Sequence, residues 1–271
     1  MATEPSFDAL LPPDMAAKIE AVGVTKASLP LARMVPLGVL AGAFIGLGAH
    51  FSTVVTADTS MSPGLSRLLG GLVFSLGLVL VVVSGAELFT GNTLIAVAAV
   101  SRKVRLRALL RNWGVVYAAN FVGAAATAAL VAASGRLDAG DGSVGARALA
   151  IAEAKSTLPF GQAVASGILA NALVCLAVWM TLSARSLVDK VVVIVPPITA
   201  FVASGFEHSI ANMYFFPVAL FHGTDPGAST TWASFVVHNL VPVTLGNVIG
   251  GAVLVGLVYW FVYLRPASRT P

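Results

Sequence analysis

Long apolar runs, separated by short polar links, cover nearly all of the chain after Arg33. A helix needs about 20 apolar residues to cross about 30 Å of hydrocarbon. Six runs meet this length, at residues 34–54, 68–100, 109–133, 160–182, 191–221 and 235–264. The pattern therefore predicts an all-α membrane protein with six transmembrane helices in one membrane domain, residues 32–265. A segment at 1–31 precedes this domain and a tail at 266–271 follows it.

Two of the six runs are too long for a single crossing. Residues 68–100 would extend about 50 Å as one helix at 1.5 Å per residue, and residues 191–221 pose the same problem. A polar interruption divides each run, at 84–87 and at 204–208. Irregular backbone at membrane depth is tolerated only where protein or a water-filled cavity satisfies its polar groups. The sequence thus predicts broken helices in spans two and five.

The basic residues indicate an orientation. They concentrate at 102–111, 185–190 and 265–269, which share one side of the membrane if the chain crosses six times. Because cytoplasmic loops carry an excess of lysine and arginine, that side and both termini are predicted to be cytoplasmic. The segment at 1–31 lacks the pattern of a secretory signal and is predicted to carry a short amphipathic helix, residues 15–22, outside the bilayer.

Composition supports a membrane protein and excludes several kinds of site. Of the 271 residues, 57% are hydrophobic and 10% are charged, whereas soluble domains have about 25% charged residues. The net charge of +4 is a topology signal rather than a sign of nucleic-acid binding. Cys175 is the single cysteine, so no disulfide can form within the chain. No histidines or carboxylates have metal-ligand spacing, so we expect no metal and no cofactor.

The two halves of the chain resemble each other. The pattern S-G-x-E-x4-N occurs at 84–92 and again at 204–212, at the break of each long span. Residues 38–43 match 167–172, and the Asn, Asn and Gly of span three recur in span six. Because each half has three spans, the second must enter from the opposite side, which predicts a 3+3 inverted repeat with a site near the midplane. A shared packing motif without a pathway is the alternative.

Glu87 and Glu207 occupy equivalent positions in the repeat. A charge at the bilayer centre costs at least about 2.5–3.5 kcal/mol, so we expect each carboxylate to have a structural or functional role. Each can satisfy free backbone N–H groups at its helix break. We assign this structural role to Glu87, together with Asn92 and Asn212, and a mixed role to Glu207 because it adjoins His208.

His208 is the only histidine at the predicted midplane, and its counterpart in the first half is Leu88. A histidine can gain or lose a proton near neutral pH with small help from its surroundings. It can therefore donate a hydrogen bond or a proton to an anion. A lone histidine is usually a satisfied structural residue, but the position of His208 at a helix break in an inverted repeat favours the functional interpretation. Thr90 offers a hydroxyl in the partner break.

Three further polar residues have two interpretations each. The midspan amides of Asn171 and Asn247 fit a pathway or contacts between helices equally well. Lys155 precedes span four, where it can attract anions or remain a solvated loop lysine.

At these residues the chain resembles the formate/nitrite transporter family, over about residues 15–265. The motifs that carry the resemblance are AGAFIG at 41–46, GAELFTGN at 85–92, Asn112-Trp113, GFEHSIANM at 205–213 and PVTLGNVIGG at 242–251.

The resemblance implies an aquaporin-like fold, assembled as a homopentamer with one pore per protomer in a bacterial-type cytoplasmic (inner) membrane, in contact with lipid. The implied cargo is a small monovalent anion, most simply formate, with nitrite or hydrosulfide as alternatives and protons as a second partner. His208, hydrogen-bonded to Thr90, would form the pore centre. Its implied polar partners are Glu207, Lys155, Asn171 and Asn247. The implied hydrophobic constrictions are Leu88, Phe89 and Phe74 on one side and Leu78, Phe201 and Val174 on the other.

An anion loses its water in an apolar constriction, at a cost of several kcal/mol. A proton from His208, direct or relayed, would convert formate into a neutral acid that passes more cheaply. We therefore expect transport to depend on pH.

Three rival classes remain. An aquaporin needs paired Asn-Pro-Ala motifs at the breaks, and the sequence has none. An intramembrane enzyme needs a nucleophile and base, or metal ligands, at a spacing that the chain does not show. A non-conducting scaffold would tolerate replacement of Glu207 and His208.

Overall fold

The computed structural model describes residues 9–57, 60–224 and 228–265, and within these ranges the chain is helical with no strand. The predicted tail at 266–271 and the first eight residues of the segment at 1–31 lie outside the described residues. The helices are α1 Pro12–Ala27, α2 Leu31–Val55, α3 Pro63–Ser84, α4 Phe89–Val100, α5 Leu106–Ala133, α6 Ser143–Ser156, α7 Phe160–Thr181, α8 Leu187–Ala203, α9 Ser209–His222 and α10 Trp232–Tyr263. The predicted all-α class is confirmed.

Five of these helices, namely α2, α3, α5, α7 and α10, are long and apolar enough to cross a membrane. The run at 68–100 is divided into α3 and the shorter apolar helix α4. The run at 191–221 is divided into α8 and α9, and neither of these has the length of a full crossing by itself. The chain thus leaves helical geometry at both polar interruptions.

Glycine makes both breaks possible. Gly85 ends α3 with a φ of 77°, and Gly205 follows α8 with a φ of 74°. This left-handed region is costly for residues with a Cβ, so glycine is the usual residue at such helix ends. The next N–H then turns back onto the helix: Ala86 N donates to Val81 O at 2.9 Å, and Phe206 N donates to Phe201 O at 3.0 Å.

Helix starts also follow local sequence. Pro12 and Pro63 stand in the first turns of α1 and α3, where the missing proline N–H has no cost. Ser186 and Asp189 form a capping box at the start of α8, in which each side chain accepts a backbone N–H of the other residue. These signals set the entry of the chain into each helix.

Helix α1 is longer than the predicted 15–22 and packs against α4. Nothing in the sequence terminates it before Ala27, and Gly23 lies where a Cβ would contact Ala98. An ion pair between Lys103 and Glu20 fastens it to the link after α4. The helix predicted to lie outside the bilayer therefore packs onto the second half of a broken span.

Candidate functional site

The carboxylate of Glu87 is buried and fully partnered. Its Oε1 accepts from Lys26 Nζ at 2.7 Å, and its Oε2 accepts from Asn92 Nδ2 at 2.7 Å. Asn92 Nδ2 also donates to Asn112 Oδ1 at 3.0 Å, and Lys26 Nζ donates to Asn92 Oδ1 at 3.1 Å. A buried charge is tolerated when it is paired and hydrogen-bonded, and this network meets both conditions.

Glu207 sits in an equivalent network. Its Oε1 accepts from Lys155 Nζ at 2.7 Å and its Oε2 accepts from Asn212 Nδ2 at 2.7 Å. Asn212 Nδ2 donates to Asn239 Oδ1 at 2.6 Å, and Asn239 Nδ2 reaches Glu207 Oε2 at 3.2 Å. The side chains of Glu87 and Glu207 are 6% and 5% exposed, so the two carboxylates are equally withdrawn from solvent.

One asparagine from a neighbouring helix closes each break. Asn120 accepts the N–H of Phe89 at 2.9 Å and donates to the carbonyls of Gly38 and Glu87 at 2.7 and 2.9 Å. The Asn120 side chain thereby satisfies backbone groups that the break leaves without a helical partner.

Asn247 does the same at the second break. It accepts the N–H of Ser209 at 2.9 Å and donates to the carbonyls of Gly167 and Glu207 at 2.8 and 3.0 Å. The amide is therefore fully engaged with backbone.

His208 caps the start of α9 and reaches across to the other break. Its Nδ1 accepts the N–H of Ala211 at 3.1 Å, and its Nε2 lies 2.9 Å from Thr90 Oγ1. Because Nδ1 accepts, the proton of the neutral ring is on Nε2, which donates to Thr90. This assignment leaves the Thr90 hydroxyl proton available to an acceptor other than His208.

The loop around Thr90 is held through its carbonyl. That oxygen accepts from Thr93 Oγ1 at 2.6 Å, from Asn171 Nδ2 at 3.3 Å and from Cys175 Sγ at 3.4 Å. Asn171 Nδ2 also donates to the carbonyl of Asn247 at 2.6 Å. Asn171 therefore connects the Thr90 loop to α10, directly before the π-helical turns of α10 at Ile249–Leu257.

Two cavities meet these breaks. The larger, of about 600 Å³, is mostly apolar and is lined by Leu78, Leu88, Lys18 and Lys26 among others. The smaller, of about 160 Å³, is lined by residues that include Phe74, Phe201, His208, Lys155, Arg67 and Arg147. Leu88 and His208, the equivalent residues of the two breaks, thus line different cavities.

The structure pairs the residues predicted to form constrictions across the two predicted groups rather than within them. The rings of Phe74 and Phe201 meet edge to face at 5.6 Å, and Phe201 lies 5.8 Å from His208. Leu78 and Leu88 line the larger cavity together. Phe89 packs against Trp113 and Tyr117 instead, and Val174 is buried, with neither among the lining of the two cavities.

Three residues of the two carboxylate networks, Lys26, Asn112 and Asn239, are not among the site residues predicted from the sequence. A signal for Lys26 was present: it stands twelve residues before Gly38, as Lys155 stands twelve residues before Gly167. Extending the repeat to the start of α1 would have revealed it. The described residues contain no group of three side chains that could hold a metal ion.

Comparison with known proteins shows the family. A family model described as formate/nitrite transporter matches residues 13–261. The chain is 43% identical to the formate channel FocA of Escherichia coli strain K12, over 98% of each chain. It is 40% identical to a probable formate transporter of Methanothermobacter thermautotrophicus, over 94% of this chain and 97% of that one. A solved structure described as a pentameric formate channel with formate bound matches with a TM-score of 0.80 and 44% identity, over 87% of this chain and 98% of that one.

Proposed function

Because the chain belongs to the formate/nitrite transporter family, we propose that it carries formate across a membrane along a path that passes His208. Its relatives are formate channels and transporters, which are not enzymes, and neither is this chain. The observation that carries the proposal is the 2.9 Å contact between His208 Nε2 and Thr90 Oγ1. This contact joins the two breaks, whose equivalent residues Leu88 and His208 line separate cavities.

The proposed architecture is six spans in a 3+3 inverted repeat of aquaporin-like form, with spans two and five broken. The equivalent networks around Glu87 and Glu207 support this arrangement. A similar solved structure, a pentameric formate channel, supports a pentamer. The contact between His208 and Thr90 within one chain supports a separate pathway in each protomer. The basic links support cytoplasmic termini in an inner membrane, so that the larger cavity faces the cytoplasm and the smaller one faces outward.

In the proposed mechanism, formate enters as an anion and loses water between the rings of Phe74 and Phe201. The Thr90 hydroxyl donates a hydrogen bond to it, and the Nε2–H of His208 holds that hydroxyl in place. A proton taken up from the solvent and relayed through His208 and Thr90 neutralises the anion. Neutral formic acid then passes the apolar wall at Leu78 and Leu88 more cheaply than formate would. Uptake is therefore faster at acid pH, and a proton accompanies the anion. Glu207, Lys155, Asn171 and Asn247 hold these donors in place.

Nitrite and hydrosulfide are the alternative cargoes, and the family description itself favours nitrite among them. Stopped-flow uptake into proteoliposomes, with formate, nitrite and hydrosulfide compared over a range of pH, tests the assignment. We expect the fastest uptake for formate, with a rate that rises as pH falls. Rapid water or glycerol flow without anion uptake would contradict the proposal and support an aquaporin-type channel.

A further inference from the structure

The smaller cavity contains two arginines that the mechanism above does not use. Arg67 is on α3 and Arg147 is on α6, and both line this cavity together with His208. Arg67 is exposed, whereas Arg147 is half-buried. Both arginines therefore lie at a cavity that also reaches His208.

No carboxylate among the described residues neutralises the charges of these two arginines. Arg147 Nε donates to Thr56 Oγ1 at 3.1 Å, and neither guanidinium has a carboxylate partner within the described part of the chain. Lys155, the third cation of this cavity, is already paired with Glu207 and lies over the ring of Phe215 at 5.5 Å. The cavity thus carries a net positive charge that belongs to the arginines.

The two arginines also act on each other. Burial, and secondly the charge of Arg67, lower the pKa of Arg147 from its ordinary value. Two like charges at one small cavity repel each other, and an anion bound between them would relieve this repulsion. Thr56 lines the same cavity, so its hydrogen bond with Arg147 holds the Arg147 side chain at the cavity wall.

We propose that Arg67 and Arg147 form an anion-binding site at the mouth of the smaller cavity, which holds a small planar carboxylate before it reaches His208. A guanidinium group presents a rigid fork of N–H donors that matches two oxygens of one anion. A cavity of about 160 Å³ has room for formate or another anion of that size, and we expect it to bind a large organic anion more weakly. The inference rests on the proposed function, because the ligand it names is the transported anion.

Such a site affects the binding of formate from solution rather than the rate at which bound formate crosses the pore. Its loss raises the concentration of formate that gives half the maximal uptake rate, while the maximal rate, set beyond His208, stays nearly constant. Because the binding is electrostatic and partly exposed, salt also weakens it over a Debye length of about 10 Å at 0.1 M.

The first experiment measures the concentration dependence of formate uptake into proteoliposomes for Arg67→Gln, Arg147→Gln and the double variant. Arg136→Gln is the matched control, because Arg136 is an exposed arginine of the α5–α6 link outside this cavity. We expect KM to rise roughly three- to tenfold in each single variant, within the range for partly exposed charged contacts, and further in the double variant. A KM equal to that of the control in all three variants would overturn the inference.

The second experiment does not require transport. Purified protein is treated with phenylglyoxal, which modifies arginine, and the modified positions are mapped by peptide mass spectrometry with and without formate. Formate should protect Arg67 and Arg147 but not Arg136, in the wild type and in a His208→Leu variant alike, and gluconate should protect none of them. Protection without any formate transport would support the binding site and contradict the proposed function. Formate transport without protection of either arginine would overturn the inference and leave the proposed function intact.

Discussion

The break at residues 85–88 and the break at residues 204–208 are built from equivalent side chains. In each, a left-handed glycine ends a helix, a buried glutamate pairs with a lysine at 2.7 Å, and an asparagine from a neighbouring helix satisfies the open backbone. The correspondence extends to the helix that follows each break, where Asn92 donates to Glu87 and Asn212 donates to Glu207. These networks satisfy the polar groups at the broken helix ends and leave neither carboxylate with an unpartnered oxygen.

The breaks differ at the residue that follows the glutamate. Leu88 lines an apolar cavity, whereas His208 lines the cavity that contains Arg67 and Arg147. A second difference is in the neighbouring helix, where Gly42 of the first half is replaced by Asn171, whose amide holds the Thr90 loop. One structural frame is thus used twice, and in the proposed mechanism the chemistry of the pathway is added at one copy only.

Removal of either carboxylate should have the largest effect on stability. Glu87→Ala and Glu207→Ala each leave a lysine unpaired beside a network of amides, and breaking a buried pair costs about 3–5 kcal/mol. We expect similar falls in the thermal midpoint of the purified protein, followed by tryptophan fluorescence in detergent.

The double variant Lys26→Met/Glu87→Ala serves as the control for this prediction. Because it removes both charges, it should recover part of the loss. If Glu87→Ala were harmless and Glu207→Ala severe, the two breaks would not share one structural frame.

The asparagines that close the breaks should rank next. Asn120→Ala and Asn247→Ala each remove one acceptor and two donors from buried backbone groups, and a buried group left without a partner costs about 1–3 kcal/mol. The same thermal measurement should give matched losses for the two variants. A large loss for Asn120→Ala with none for Asn247→Ala would show that Asn247 contributes little to closing its break.

Asn171→Ala should have a smaller effect, and mainly on transport. It removes one of three donors to the Thr90 carbonyl and the link to Asn247, so Thr90 is held less firmly towards His208. We expect formate uptake to fall roughly three- to tenfold, in keeping with the loss of hydrogen bonds worth about 1 kcal/mol.

Cys175→Ala is the control for Asn171. A thiol is a weak donor, and Cys175 Sγ lies 3.4 Å from the same carbonyl. Uptake in this variant should stay within about twofold of the wild type by the same reasoning. Equal losses in both variants would indicate a general packing effect rather than a specific role of the Asn171 amide.

The sequence predicted the helices and the position of both breaks because apolar length and left-handed glycines are local signals. It also placed His208 and Thr90 at the centre, through the repeat and the family motifs. It did not assign Lys26 to Glu87, because an ion pair between residues 61 positions apart depends on how α1 packs. The location of Phe89 against Trp113 and Tyr117, and the approach of Arg67 to Arg147, likewise depend on helix orientation that periodicity leaves open.

The most direct test of the comparison is to make the second break a copy of the first. His208→Leu introduces the residue found at position 88. Its thermal midpoint is first measured to check that the variant is as stable as the wild type. Formate uptake by the two proteins is then compared at acid and at neutral pH. We predict a fall in uptake of about 100-fold or more, in line with the contribution of general acid–base groups, and loss of the acceleration at acid pH. Uptake and pH dependence equal to those of the wild type would contradict the central claim that His208 supplies the chemistry of this pathway.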